Sequence, residues 1–190
     1  MGAFDEAEVL RAVDAATWRA WLERNHATTT GVWLLRPRAG VAVQLVAYDD
    51  AVRQALCFGW VDGTVKPYDA ETVGQWYAPR RPGSGWAATN KARVAELEAS
   101  GQMAEAGRRV VAAAKASGSW ALLDGPEAGI EPPELTAALD AVPAARANWD
   151  AFPPSARKMG LSAVAMAKRT ETKAARIAKI VADAAEGRRP

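Results

Sequence analysis

A chain of 190 residues, half hydrophobic and a quarter charged, is long enough for one packed domain or for a domain with a helical extension. It has no apolar run near the roughly 20 residues that span a bilayer, and its N-terminus lacks the pattern of a secretory signal, so a cytoplasmic protein is expected. One cysteine and one histidine exclude an internal disulfide and a structural zinc site, and no metal or cofactor is predicted.

The net charge of +2 is unevenly spread. Residues 1–77 carry −3, 78–93 carry +4 with no acid, 94–154 carry −5, and 155–190 carry +6. Two basic blocks on an acidic body point either to an anionic partner or to complementary faces inside the fold.

In chain order, residues 1–13 include a short strand around Val9, Leu10 and Val13. Asp14 suits an N-cap, and a helix follows from Ala15 to Asn25 with Trp18, Trp21 and Leu22 on one face as a core stripe. His26 ends it, placed to interact with the helix dipole. Gly31–Arg36 reads as a buried strand, Pro37–Gly40 as a turn and Val41–Val46 as a second short strand. Asp49 is a second N-cap, opening a helix over Asp50–Phe58 that buries Val52, Ala55 and Leu56 and stops at Gly59. Cys57, between two apolar neighbours at a helix end, reads as a buried small residue rather than a reactive thiolate.

Trp60–Tyr68 forms a strand broken at Gly63. Asp69–Glu71 turns the chain, and Thr72–Ala78 returns with aromatics on both faces. Pro79–Gly85 is a loop. Helices follow to about Ala99 (Val94 and Leu97 inward) and over about Met103–Ala116, and Trp120 with Leu122 and Leu123 pins the next loop. An acidic, Pro-containing connector spans 124–133. Four helices close the chain over Pro133–Leu139, Pro143–Phe152, Pro154–Arg169 and Glu171–Ala185, each announced by Pro or, for the last, by Thr170 as N-cap. That last helix has an apolar stripe of Ala174, Ile177, Ile180, Val181 and Ala184 and a basic face of Lys173, Arg176 and Lys179. The whole reads as α+β: a small antiparallel sheet with packed helices, then an all-helical C-terminal segment. The division is placed at 1–123 and 124–190.

The segment 79–93 is the leading site. Arg80 and Arg81 flank Gly83, Ser84 and Gly85, a helix N-terminus follows, and Asn90, Lys91 and Arg93 lie in its first turns. Free backbone amides, the helix dipole and guanidinium groups together suit an anion. Trp60, Trp76, Tyr77 and Trp86 offer flat surfaces for a base, sugar or ring. The alternative is that the arginines pair with acids of 94–154 and the aromatics are core. The loop is not a nucleotide P-loop, because it lacks GxxxxGK[ST]. Asp62 and Lys66, at an even strand spacing, form a weaker pair for acid–base work. A partly exposed salt bridge is the plainer reading of them.

The stretches WRAWLERNH (18–26), GVWLL (31–35), YDDAVRQALCFGWVDGTVK (48–66), APRRPGSGWAATNKARV (78–94) and AKRTETKAARIAKIV (167–181) resemble the YdeI/OmpD-associated, or bacteriocin-protection, proteins of bacteria. The resemblance extends in order over nearly the whole chain. It implies a small α+β domain with a helical C-terminal part, linked to tolerance of cationic antimicrobial peptides and envelope stress, with no assigned reaction or cofactor. The motif positions it marks are Trp60, Asp62, Gly63, Lys66, Pro79, Arg80, Ser84, Trp86, Asn90 and Arg93. Gln75-Trp76 stands where many relatives carry Arg-Phe, which weakens any need for a basic residue on the hairpin.

Three functions follow as expectations. The first is a non-enzymatic stress or antimicrobial-peptide protection factor that binds an anionic group, on a small molecule, nucleic acid or protein, through Arg80, Arg81, Ser84, Trp86, Asn90, Arg93 and Trp60. The second is an enzyme acting on a phosphorylated or carboxylated metabolite, with Asp62 as acid or base and Lys66 beside it. The third is a protein–protein module docking through the basic last helix.

Overall fold

The computed structural model describes residues 7–190, which fall into two units. The first holds the described residues up to Pro82 together with Thr89–Ala116, and the second holds Gly83–Ala88 with Ser117–Pro190. The part of the expected N-terminal strand region before residue 7 lies outside the described residues.

The first unit begins with β1 (Val9–Leu10), α1 (Ala15–Asn25) and β2 (Val32–Pro37). Asp14 caps α1 as its carboxylate accepts from the Thr17 amide at 2.7 Å. Because a helix lies between them, β1 and β2 pair in parallel: returning to the same direction takes a crossover, whereas a tight turn can only reverse the chain. The remaining pairs are antiparallel. α2 (Tyr48–Cys57) leads into the hairpin of β3 (Trp60–Pro67) and β4 (Thr72–Pro79), and the strand order among the described residues is β1-β2-β4-β3. The sheet is therefore mixed, and only its edge pair departs from the antiparallel expectation. Asp69 fixes the hairpin turn, accepting from the amides of Glu71 and Thr72 and from the Thr72 hydroxyl.

Two local expectations are corrected here. Val41–Val46 is not a strand: the segment leaves the sheet after β2 and forms no ladder with either edge strand, β1 or β3. Its ends are tied down, the Val41 amide donating to the Arg38 carbonyl at 3.1 Å and the Val46 amide to the Ala12 carbonyl at 2.9 Å. Asp49 does not cap α2: Ala47 holds the cap position without a side-chain bond, and the Asp49 carboxylate instead takes the Arg93 guanidinium at 2.7 Å.

The core under the sheet is aromatic. Trp18 stacks on Trp21 at 5.3 Å and meets Tyr77 at 5.4 Å, and Trp21 meets Trp60 edge-on at 5.8 Å. Helices α3 (Ala88–Ala99) and α4 (Glu105–Ala116) follow, with Val94, Leu97, Val111 and Ala114 buried. Gly107 lets α4 approach the end of α2, since a Cβ there would lie 2.3 Å from the Cys57 carbonyl oxygen. Cys57 is buried, and that burial pushes its thiol pKa up, as expected of an inert cysteine.

The second unit is helical: α5 (Asp124–Glu127), α6 (Pro133–Asp140), α7 (Pro143–Ala151), α8 (Pro154–Ala165) and α9 (Thr170–Ala185). The expected connector thus opens with one helical turn, and α9 starts at Thr170 itself, with Arg169 in the cap position. Leu135, Leu139, Ala145, Trp149, Leu161, Ile177 and Ile180 form its core. At its margin Glu131 accepts from both terminal nitrogens of Arg146, from the Trp149 indole at 2.8 Å and from the Thr136 hydroxyl. The bidentate guanidinium and the added donors hold the Glu131 carboxyl below its usual range.

Candidate functional site

The residues forecast from 79–93 are divided between the units. Arg80, Arg81, Asn90 and Arg93 belong to the first, and Ser84 and Trp86 to the second. Trp86 is buried and lies 4.9 Å from Trp120. Gly85 sits so close to Leu123 that a Cβ would come within 2.7 Å, so the loop backbone packs directly on that leucine. Arg93 bonds Asp49 and the Asn90 side chain, so that part of the basic block is committed within the fold.

Arg80 is different. Its amide closes onto the Gly59 carbonyl at 2.9 Å just past β4, and its guanidinium is largely removed from water. Burial drives its pKa down to about 10, against the opposing pull of Asp62. The side chain lines a cleft of about 330 Å3 with His26, Phe58, Trp60 and, from α4, Arg109 and Val110. Two of the forecast residues, Arg80 and Trp60, thus meet at one concavity. Trp60 itself is buried, its indole donating to the His26 carbonyl at 3.2 Å, so only its margin faces the cleft. Arg109 and His26 were not assigned to this site from the sequence, because α4 and the end of α1 reach it only through tertiary packing.

Asp62 and Lys66 do not form a pair. Asp62 lies opposite Tyr77 and Lys66 opposite Gly74, with an extra residue on β3 between Asp62 and Val65. Such a bulge inverts the alternation, so the two side chains occupy opposite faces despite their even spacing. Lys66 sits over the Trp33 ring at 4.0 Å. Asp62 joins a ring of polar groups on the face that α1 covers. Tyr48 donates its hydroxyl to Asp62 Oδ2 at 2.8 Å, and the Arg36 guanidinium lies 5.0 Å from the Tyr48 ring. Arg36 also donates to Gln75 Oε1 at 3.1 Å, and Gln75 Nε2 donates to the carbonyl of bulge residue Gly63 at 2.7 Å. Tyr77 lies wholly buried within this ring. Burial and the nearby Asp62 charge push the pKa of both Tyr48 and Tyr77 up. One hint of this arrangement is legible in the sequence, the glycine interrupting β3.

The cations of α9 are also spoken for. Lys173 pairs with Glu134 at 2.7 Å, Lys179 with Asp183 at 2.5 Å, and Arg176 donates to the Ala163 carbonyl. Among the described residues no group of three or more His, Cys, Asp or Glu is placed to hold a metal, and no helix is long and apolar enough to cross a membrane.

The fold and these sites define an α+β unit bearing a cationic cleft and a polar ring, joined in sequence to a helical unit. Residues 10–110 match the family model described as a domain of unknown function (DUF8412), and the chain belongs to that family. Residues 129–187 match the model described as Bacteriocin-protection, YdeI or OmpD-Associated. That match covers the helical part alone: of the five resembling stretches only 167–181 falls inside it, and the other four lie within 10–110. No curated protein and no solved structure matches the chain.

Proposed function

We propose that the protein is a non-enzymatic binding factor of the bacteriocin-protection kind, and that it holds an anionic group at the Arg80 cleft. The observation that carries this reading is the cleft itself: a desolvated guanidinium and a second arginine, Arg109, share about 330 Å3 with the apolar walls of Phe58, Trp60 and Val110. A cation already stripped of water attracts an anion more strongly than a solvated one does, since little further desolvation remains to be overcome. The match of residues 129–187 supports the protection role. Binding is favoured over catalysis because the bulge separates Asp62 from Lys66, and Asp62 already accepts a hydrogen bond from Tyr48.

The test is a titration with inorganic phosphate, a nucleotide and a short oligonucleotide at two salt concentrations, followed by indole fluorescence, with a cationic peptide as the control of opposite charge. Saturable binding weakened about tenfold in Arg80→Gln and in Arg109→Gln is expected, the size of one charge-assisted hydrogen bond. A steep loss with salt for the oligonucleotide alone would identify nucleic acid as the partner. Unchanged affinity in both variants would overturn the reading.

A further inference from the structure

The polar ring on the inner sheet face contains two donors that no acceptor satisfies. Tyr77 is wholly buried and its hydroxyl makes no hydrogen bond; the Nε–H of Arg36 is shut off from water and makes none either. Buried donors are paired in the great majority of cases, because leaving one bare forfeits its hydration without return. Two such donors belong here to one constellation. Arg36, Gln75, Tyr77 and Asp62 share a face by register, and the field of Arg36 acts on the Tyr77 phenol. Tyr77 is also held as a donor, since Asp62 next to it opposes its ionisation. The ring closes through Arg36 to Gln75, Gln75 to the bulge carbonyl of Gly63, Asp62 to Tyr48, and Tyr48 back beneath Arg36.

Within that ring Asp62 has the opposite requirement. Its Oδ2 takes the Tyr48 hydroxyl, which leaves Oδ1 as an acceptor. A plain anion would satisfy the two donors and meet the Asp62 charge unfavourably. A molecule that places a hydroxyl beside its anionic group satisfies both sides at once.

We propose that the ring of Arg36, Tyr48, Asp62, Gln75 and Tyr77 binds a small α-hydroxy carboxylate, with its carboxylate on Tyr77 Oη and Arg36 Nε and its hydroxyl donating to Asp62 Oδ1. The site is separate from the Arg80 cleft in its donors and stands independently of the function assigned there. Arg93, which also faces this cluster electrostatically, is neutralised by Asp49; Arg80 feels the Asp62 charge from the neighbouring cleft, and Arg36 is the cation that belongs to the ring itself. The bulge at Gly63 has a role in this scheme, for it turns Asp62 onto the face of Tyr77 and supplies the carbonyl that orients Gln75.

The experiment is an NMR titration of the full chain with glycolate and with acetate, reading the Arg36 Nε–H and the Tyr77 ring signals. Both anions are expected to shift these signals to saturation, glycolate binding about fivefold or more tightly than acetate, the worth of one hydrogen bond. Tyr77→Phe, which removes one oxygen and keeps the ring against Trp18, is expected to weaken both about tenfold. Asp62→Ala is expected to abolish the preference for glycolate while acetate still binds. Signals that do not move, or full affinity in Tyr77→Phe, would mean that the donors are met by water only and would overturn the proposal. A glycolate preference that survives Asp62→Ala would overturn the assigned orientation.

Discussion

The two units treat buried polar groups in opposite ways. In the helical unit Glu131 is an acceptor with every demand met, gripped by Arg146, Trp149 and Thr136. In the sheet unit Tyr77 and Arg36 are buried donors with capacity left over. Both arrangements depend on an arginine and an aromatic residue, so composition does not distinguish them; the balance of donors and acceptors does. A satisfied network fixes how helices pack, whereas an unsatisfied one costs stability and is worth keeping only where something external completes it.

The sharpest way to break this contrast is to remove the satisfied acceptor. Glu131→Ala leaves the Trp149 indole without its acceptor and Arg146 with only Asp150 and Asp140, and denaturant unfolding should show a loss of about 2 kcal/mol, typical of a hydrogen bond to a charged group. A loss near zero would mean that the network is ornamental and the contrast false.

Extremes of pH come next. Folding lowers the Glu131 carboxyl pKa below its ordinary 4.5, so its contribution is complete above that value and drains away as pH falls through the folded value. Glu131→Gln should flatten this acid slope. Asp14 and Asp69 give the sheet unit a smaller share of the same acid loss, Asp14 held low by the Thr17 amide and Asp69 by the Thr72 hydroxyl and the Glu71 amide. The sheet unit adds an alkaline one at Tyr77. Folding raises the Tyr77 phenol above its ordinary 10.0, so its contribution is lost as pH climbs past that value, and Tyr77→Phe should remove the loss in an alkaline unfolding series.

At neutral pH without ligand, Tyr77→Phe should stabilise the protein by about 1 kcal/mol, because it deletes a buried hydroxyl that nothing satisfies. A destabilisation would show the hydroxyl to be well bonded in solution. The smallest effect belongs to the surface pair of Asp49 and Arg93: with Asp49 mostly exposed, Asp49→Ala should cost under about 1 kcal/mol, less at high salt.

Much of the fold was readable in the order of residues. The Asp14 cap, the Trp18–Trp21–Leu22 stripe, the Asp69 turn and the proline-led helices each depend on neighbours within a few positions, where local rules are strongest. The same rules failed where distant residues decided. Val41–Val46 has strand composition but no strand of the sheet pairs with it, and Asp49 has a capping side chain that Arg93 claims from 44 residues away.

The candidate sites divide in the same manner. Arg80 and Trp60 stood out by their local setting, and the structure brings both to one cleft. Arg109 reaches that cleft only because Gly107 lets α4 close on α2, a packing that no local pattern announces. The even spacing of Asp62 and Lys66 implied a shared face, and one extra residue in β3 reversed it. The sequence by itself thus determined the Asp14 cap, the hairpin turn, the helical second unit and the inventory of cations. Tertiary structure alone decided which of those cations are neutralised and which donors are buried without an acceptor, because burial and pairing are settled by strand register and helix packing across the chain.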